Sequence, residues 1–263
     1  MRLDTVLSTY VNYRKALGER FRTNAQILKS FCRTIGGETE IENIQSEQVR
    51  VFLNGTGPVT ASWHIRFNAL EGFYRYATSH GIVRTSPMPT VKPERPEPFV
   101  PYIYTHEELR RLLAATLSYQ KNRGHLEPYM VQTLLLTLYG AGLRVSEALS
   151  LRMVDVDLQH AVLTIHDSKF FTSRLVPIGT QLNEKLLQYA TRRREAGHAQ
   201  NADAPFFVKR NGQSVSIWNM EDAFQLIREK AGICRTDGAS YQPRLHDFRY
   251  PNLNKIQTFF KDA

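Results

Sequence analysis

Apolar positions recur at helical spacing through the first third of the chain. Val6, Tyr10, Tyr13 and Leu17 mark one stripe of a helix from Leu3 to Leu17, which Gly18 ends. A second helix, capped by Thr23, turns Ile27, Phe31 and Ile35 inward and stops at Gly36-Gly37. Ser46 starts a short third helix carrying Val49, Phe52 and Leu53. A fourth, from Thr60 to about His80, sets Trp63, Phe67, Leu70 and Tyr74 on one side. Four short amphipathic helices bury their stripes by forming a small bundle. The other side of the fourth shows His64, Asn68 and Arg75, a polar row that either faces solvent or touches phosphates.

The pattern breaks at Pro87. Prolines at 87, 89, 93, 96, 98 and 101 exclude helix and central strand and favour an extended, stiff segment. The chain therefore divides into a helical domain over 1–86, a linker over 87–104 and a second domain from 105. That domain opens on Thr105-His-Glu-Glu108, a capping box ahead of Leu109, Leu112 and Leu113. From Pro128 to Tyr139, Met130, Val131, Leu134, Leu135, Leu136 and Leu138 make a helix apolar on all sides, which belongs inside a domain. Gly140 and Gly142 are expected to break it. Arg144 then places a permanent charge at the end of a buried element, with Glu147 one turn on.

Beyond this point the period shortens. Ala161–His166 and Arg174–Ile178 read as a β-hairpin with Lys169 near its tip. Thr180 caps a helix with Leu182, Leu186, Leu187 and Tyr189, ending in Arg192-Arg193-Arg194, a basic last turn or a DNA contact. Phe206–Lys209 reads as a short strand, Asn211-Gly212 as a turn, and Trp218–Lys230 as a helix closed by Gly232. His246 and Arg249 share a face if their segment is helical. The expected fold is mainly α with a small antiparallel β-sheet, an α+β chain of two domains.

Charge narrows the partners. Among 263 residues, 34 Lys and Arg oppose 25 Asp and Glu, for a net charge of +9. The excess is spread over both halves, as expected for a polyanion partner such as nucleic acid. Two cysteines, Cys32 and Cys234, are too few for a disulfide framework or a Cys-type zinc site and fit a reducing interior. No apolar run reaches membrane-spanning length. The expectation is a soluble, cytoplasmic protein.

Three motifs then fall in order: Gly-Leu-Arg144-Val-Ser-Glu147-Ala-Leu, the strand–Ser-Lys169-x(4)-Arg174-Leu-Val-Pro hairpin, and His246-Asp-Phe-Arg249. Each is weak alone; together, behind a helical bundle and a linker, they resemble the tyrosine recombinase, or phage integrase, family. The resemblance implies a core-binding bundle, a catalytic domain over 105–250, and DNA integration or recombination by a protein of a mobile element, such as an integrase or transposase. It implies double-stranded DNA and other recombinase protomers as partners, with no metal or cofactor. It gives Arg144 and Arg249 the phosphate oxygens, because a planar guanidinium binds two oxygens and stays charged. His246 donates to the same phosphate or moves the nucleophile's proton, Lys169 protonates the departing 5′ oxygen, and Glu147 supports Arg144. Arg174, His64, Asn68 and Arg75 are further candidate DNA contacts.

The sequence departs from the family after Arg249. The family's nucleophile is a tyrosine beyond a further His/Trp-bearing segment, whereas residues 251–263 contain no Gly-His pair and no tyrosine. Tyr250 adjoins Arg249 and reads as a core or surface aromatic, since in-line attack is geometrically unforgiving. Pro251 disfavours continuation of the helix. The expectation is a recombinase truncated or shifted in frame after His-x-x-Arg, with an atypical tail and no strand cleavage of its own. The alternatives are a non-catalytic DNA-binding regulator and a decayed gene product.

Overall fold

The four stripes of the first ninety residues close on one another. A computed structural model describes residues 1–56, 59–96, 100–119, 125–166, 173–239 and 241–249. The chain separates into two compact units, Met1–Phe99 and Val100–Ala263. In the first, α1 (Leu3–Ala16), α2 (Arg22–Ile35), α3 (Ser46–Asn54) and α4 (Ala61–Ser79) pack around Val6, Tyr10, Leu28, Phe31, Leu53, Phe67, Leu70 and Tyr74.

The entry to α2 differs from the expectation. Thr23 lies inside the first turn; the preceding residue is Phe21, in the left-handed region at φ 42°. Phe21 is buried edge-on to Tyr10 at 5.5 Å. That anchor fixes the rotation of α2, so Leu28 and Phe31 are buried while Ile27 and Ile35 are only half-buried. The proline-rich segment has no helix or strand over its described residues, yet its first part is not detached. Met88 packs against the bundle core, and Lys92 sits 4.2 Å from the Phe67 ring and 3.1 Å from Glu71.

In the second unit, α5 (His106–Thr116) starts on the capping box, with Thr105 accepting from the Glu108 backbone N–H. α6 (Pro128–Ala141) runs through the core, and α5, α8 (Thr180–Glu195) and a 3-10 turn over Leu245–Arg249 pack against it. Gly140 does not break α6, which continues to Ala141; Gly142, at φ 60° and ψ 27°, ends it in the left-handed conformation that glycine adopts without strain. The short α7 (Val145–Leu149) and a 3-10 turn at Met153–Asp155 follow.

The sheet has three antiparallel strands, β1 (Val156–Asp157), β2 (Val162–Ile165) and β3 (Arg174–Pro177), in that order. The pairing of β2 with β3 runs from Val162 opposite Pro177 to Ile165 opposite Arg174. Lys169, which the sequence puts near the hairpin tip, lies outside the described residues, as do Tyr250 and 251–263. Gly179, not Thr180, precedes α8, and no side chain caps it. Phe206–Lys209 is not a strand: only single bridges join Arg152 to Pro205 and Val208 to Ser214. Its apolar residues instead lock against α8, where Tyr189 stacks on Phe207 and meets Phe206 edge-on. Within the basic triplet, Arg193 is buried, 2 % exposed, and so is not the solvated helix end the sequence suggests. α9 (Ile217–Lys230), capped by Ser216, completes the unit. The fold is mainly helical with a small antiparallel sheet.

Candidate active site

Arg144 follows the left-handed Gly142 and forms the N-cap of α7. The turn brings Glu147 back onto it. The Arg144 backbone N–H donates to Glu147 Oε2 at 2.9 Å and its Nη1 donates to Oε1 at 2.6 Å. The same carboxylate accepts a fork from β3: Arg174 Nη1 donates to Oε1 at 3.1 Å and Nη2 to Oε2 at 2.8 Å. Burial pushes the Glu147 carboxyl up, but the bonds from Arg174 and Arg144 outweigh it and hold it down to about 2. Arg174, a candidate DNA contact by sequence, donates both Nη groups to Glu147, with its side chain still 37% exposed.

The segment bearing His246 and Arg249 is fixed by the same device. The Arg244 backbone N–H donates to Asp247 Oδ2 at 2.8 Å, and the Asp247 side chain is fully buried. Arg228 Nη1 donates to the Pro243 carbonyl at 3.0 Å, and the Tyr104 hydroxyl to the Arg244 carbonyl at 2.9 Å. Phe248 drops between Tyr104 and Phe224. Leu245 and Phe248 are buried, leaving His246 exposed and Arg249 half-buried. Residues three apart eclipse in a 3-10 turn, so His246 and Arg249 share a side.

The two halves meet. Arg144, Arg228, Arg244 and His246 line one open cleft of about 610 Å³, with Glu221 its one acid among the lining residues. Burial lowers the His246 pKa, and the charges of Arg244, Arg249 and Arg144 lower it further against the opposing effect of Asp247. The arginine charges thus favour the uncharged form of the imidazole. A cleft with this lining is chemically suited to an anion, since guanidiniums and an imidazole donate hydrogen bonds to oxyanions.

Sequence reasoning missed Arg228, Arg244 and His166. Arg244-x-x-Asp247 repeats the Arg144-x-x-Glu147 spacing, as does Arg152-x-x-Asp155, whose backbone and guanidinium both donate to Asp155. That repetition is visible in the sequence. His166 carried no such signal; the end of β2 brings its Nε2 to 2.8 Å from Asp155. Of the other candidates, His64, Asn68 and Arg75 lie along α4 in the first unit. Asn68 and Arg75 are exposed, whereas His64 is half-buried beside Trp63, 5.1 Å between rings.

The sequence profile of the phage integrase family matches residues 103–252. The chain is 30% identical over 244 residues to y4rB of Sinorhizobium fredii (strain NBRC 101917 / NGR234), described as an integrase/recombinase, covering 92% of this chain and 77% of that one. It is 24% identical to the tyrosine recombinase XerC of Lactobacillus delbrueckii subsp. bulgaricus (strain ATCC BAA-365 / Lb-18), covering 86% and 75%. Among solved structures it resembles a lambda integrase dimer bound to a COC' core site, with a TM-score of 0.70 and 18% identity over 95% of this chain and 88% of that one.

Proposed function

The chain belongs to the phage integrase family, the tyrosine recombinases, and from that premise we propose that it binds duplex DNA and seats one backbone phosphate between Arg144, His246 and Arg249. The observation that supports this is that Arg144 and His246, from two distant stretches, line one basic cleft, with the charge of Arg249 acting on the same imidazole. Strand exchange in this family adds negative charge to a phosphodiester. Two guanidiniums answer that charge as it forms, and each comparable donor contributes about 10²–10³ in rate. Glu147 keeps the Arg144 fork from swinging. His246, neutral beforehand, donates a hydrogen bond or accepts the nucleophile's proton. Lys169, on the β2–β3 hairpin, is the acid for the departing 5′ oxygen. The helices of the first unit act as a core-binding domain, with Asn68 and Arg75 as phosphate contacts. The cellular setting is the recombination of a mobile element's DNA in the cytoplasm, alongside further recombinase protomers.

The proposal stops short of cleavage by these residues alone. Tyr250 adjoins a phosphate-holding arginine, a poor origin for in-line attack, and 251–263 offer no tyrosine. A tyrosine from outside these residues, such as one on another protomer, would complete the reaction.

A nicked suicide substrate separates these outcomes. The expected result is duplex retention that weakens steeply with salt and no covalent adduct surviving detergent. An adduct with this chain alone would overturn the non-cleaving part. Failure to retain duplex at low salt would overturn the DNA-binding part.

A further inference from the structure

Arg193 stands in the last turn of α8, almost wholly buried, where a charged side chain has no evident reason to be. Its Nη2 donates to the Pro205 carbonyl at 2.9 Å. Its Nε and Nη1 are buried without a hydrogen-bond partner among the described residues. The carbonyls of residues 192–194, the closest in the chain, already accept from the N–H groups of Ala196, Gly197 and His198. A guanidinium does not shed its proton at physiological pH, so its burial has to be met by an opposite charge or by further acceptors. Buried polar groups left unpaired are rare enough to mark an ion or ligand.

Arg193 also lines a cavity of about 330 Å³, together with Arg192, His198, Lys209 and Arg210. Two acids border it, and neither forms an ion pair with Arg193. Glu127 is engaged as the N-cap of α6, accepting from the Met130 N–H at 2.8 Å, and Glu195 is exposed at the rim. The positive end of α6 faces the same region through Glu127 and Met130. The space holds a tetrahedral oxyanion and several waters, at about 30 Å³ for each water. It is also remote from the phosphate cleft. The cavity lies at the N-terminus of α6 and Arg144 beyond its C-terminus, so the helix alone separates them by roughly 20 Å.

We propose that this cavity is a second anion site, taking a phosphate-class oxyanion whose charge completes Arg193 and is held at the rim by Lys209 and His198. It does not rest on the recombinase reading, because the site and its ligand are defined apart from the DNA cleft.

The test uses the full chain in inorganic phosphate against chloride at equal ionic strength. Phosphate should move the ¹⁵N–¹H signal of Arg193 Nε and raise Tm by about 3–5 °C at ten times the Kd. Arg193→Met should abolish both responses. If that variant does not fold, Lys209→Gln, at the rim, should weaken the apparent Kd several-fold with the fold intact. A short duplex in place of phosphate identifies the source. A shift of the Nε signal by the duplex assigns the site to a DNA backbone phosphate, and a shift by phosphate alone assigns it to a free ion. No movement of the Nε signal with either, or an equal Tm rise in Arg193→Met, would overturn the proposal.

Discussion

Arg174 grips both oxygens of Glu147, at 3.1 and 2.8 Å, the same carboxylate that takes Arg144 Nη1 at 2.6 Å. One carboxylate thereby ties the start of β3 to the cap of α7 and fixes the guanidinium that faces the cleft. Arg174→Met should release Glu147 to a single partner, costing about 1–3 kcal/mol in stability. Duplex affinity should fall with it, and the loss should be non-additive with that of Arg144→Ala, because both act through one guanidinium. A double-mutant cycle read by duplex binding checks this; strictly additive losses would exclude a positioning role for Arg174.

Acid should weaken the fold through Glu147. Its folded pKa of about 2 lies below the ordinary 4.5, so its contribution is fully present above 4.5 and lost as pH falls toward 2. At 1.36 kcal/mol per unit this amounts to about 3 kcal/mol. Glu147→Gln should be destabilised at pH 7 by a similar amount, since two guanidiniums lose their counter-charge, and should show a flatter stability profile between pH 5 and 2. Denaturant unfolding across that range measures both.

His246 should titrate below the ordinary 6.5 in the free protein, through burial and the neighbouring arginines. Sign follows from direction: the unfolded chain binds that proton more readily, so acidification below 6.5 destabilises the fold at this residue. A phosphate in the cleft adds the opposite field and should raise the titration point. Following the His246 ring signals by NMR, with and without duplex, tests this; an unchanged value on binding would remove the phosphate from the cleft.

Replacing Arg144 or Arg249 with Ala should weaken duplex binding and reduce the slope of log affinity against log salt by about one per contact. Salt titrations of both variants, compared with Lys230→Ala in the same unit and outside the cleft lining, provide the measurement.

Gly142→Ala should cost about 1–2 kcal/mol. A Cβ there meets nothing within 4 Å, so the whole effect is the left-handed backbone at φ 60°. Thermal unfolding gives the cost, and duplex binding shows whether the strained turn still presents Arg144.

Much of this was written along the chain. Helical periodicity gave α1 and α4, because an element that buries one face repeats its apolar residues at the helical interval, and an unbroken apolar run gave the buried α6. The Thr105–Glu108 box and the Arg144–Glu147 pair were legible because they close within a single turn. Less legible was anything depending on how a helix is rotated or entered. Leu28 displaced Ile27 inside the bundle because Phe21 anchors α2, and Phe206–Lys209 became a buried loop because Tyr189 supplied the packing that a strand partner would have given.

The order of the charged motifs pointed by itself to the family this chain belongs to, since local spacing and residue chemistry suffice for that. Tertiary structure alone decided what each charge is for. Arg174, a candidate DNA contact by sequence, also clamps Glu147, Arg244 and Arg228 joined the cleft, and Arg193 went from a basic helix end to a buried charge. The physical reason is that a guanidinium's role depends on which anion and how much solvent it meets, and packing between distant segments sets both.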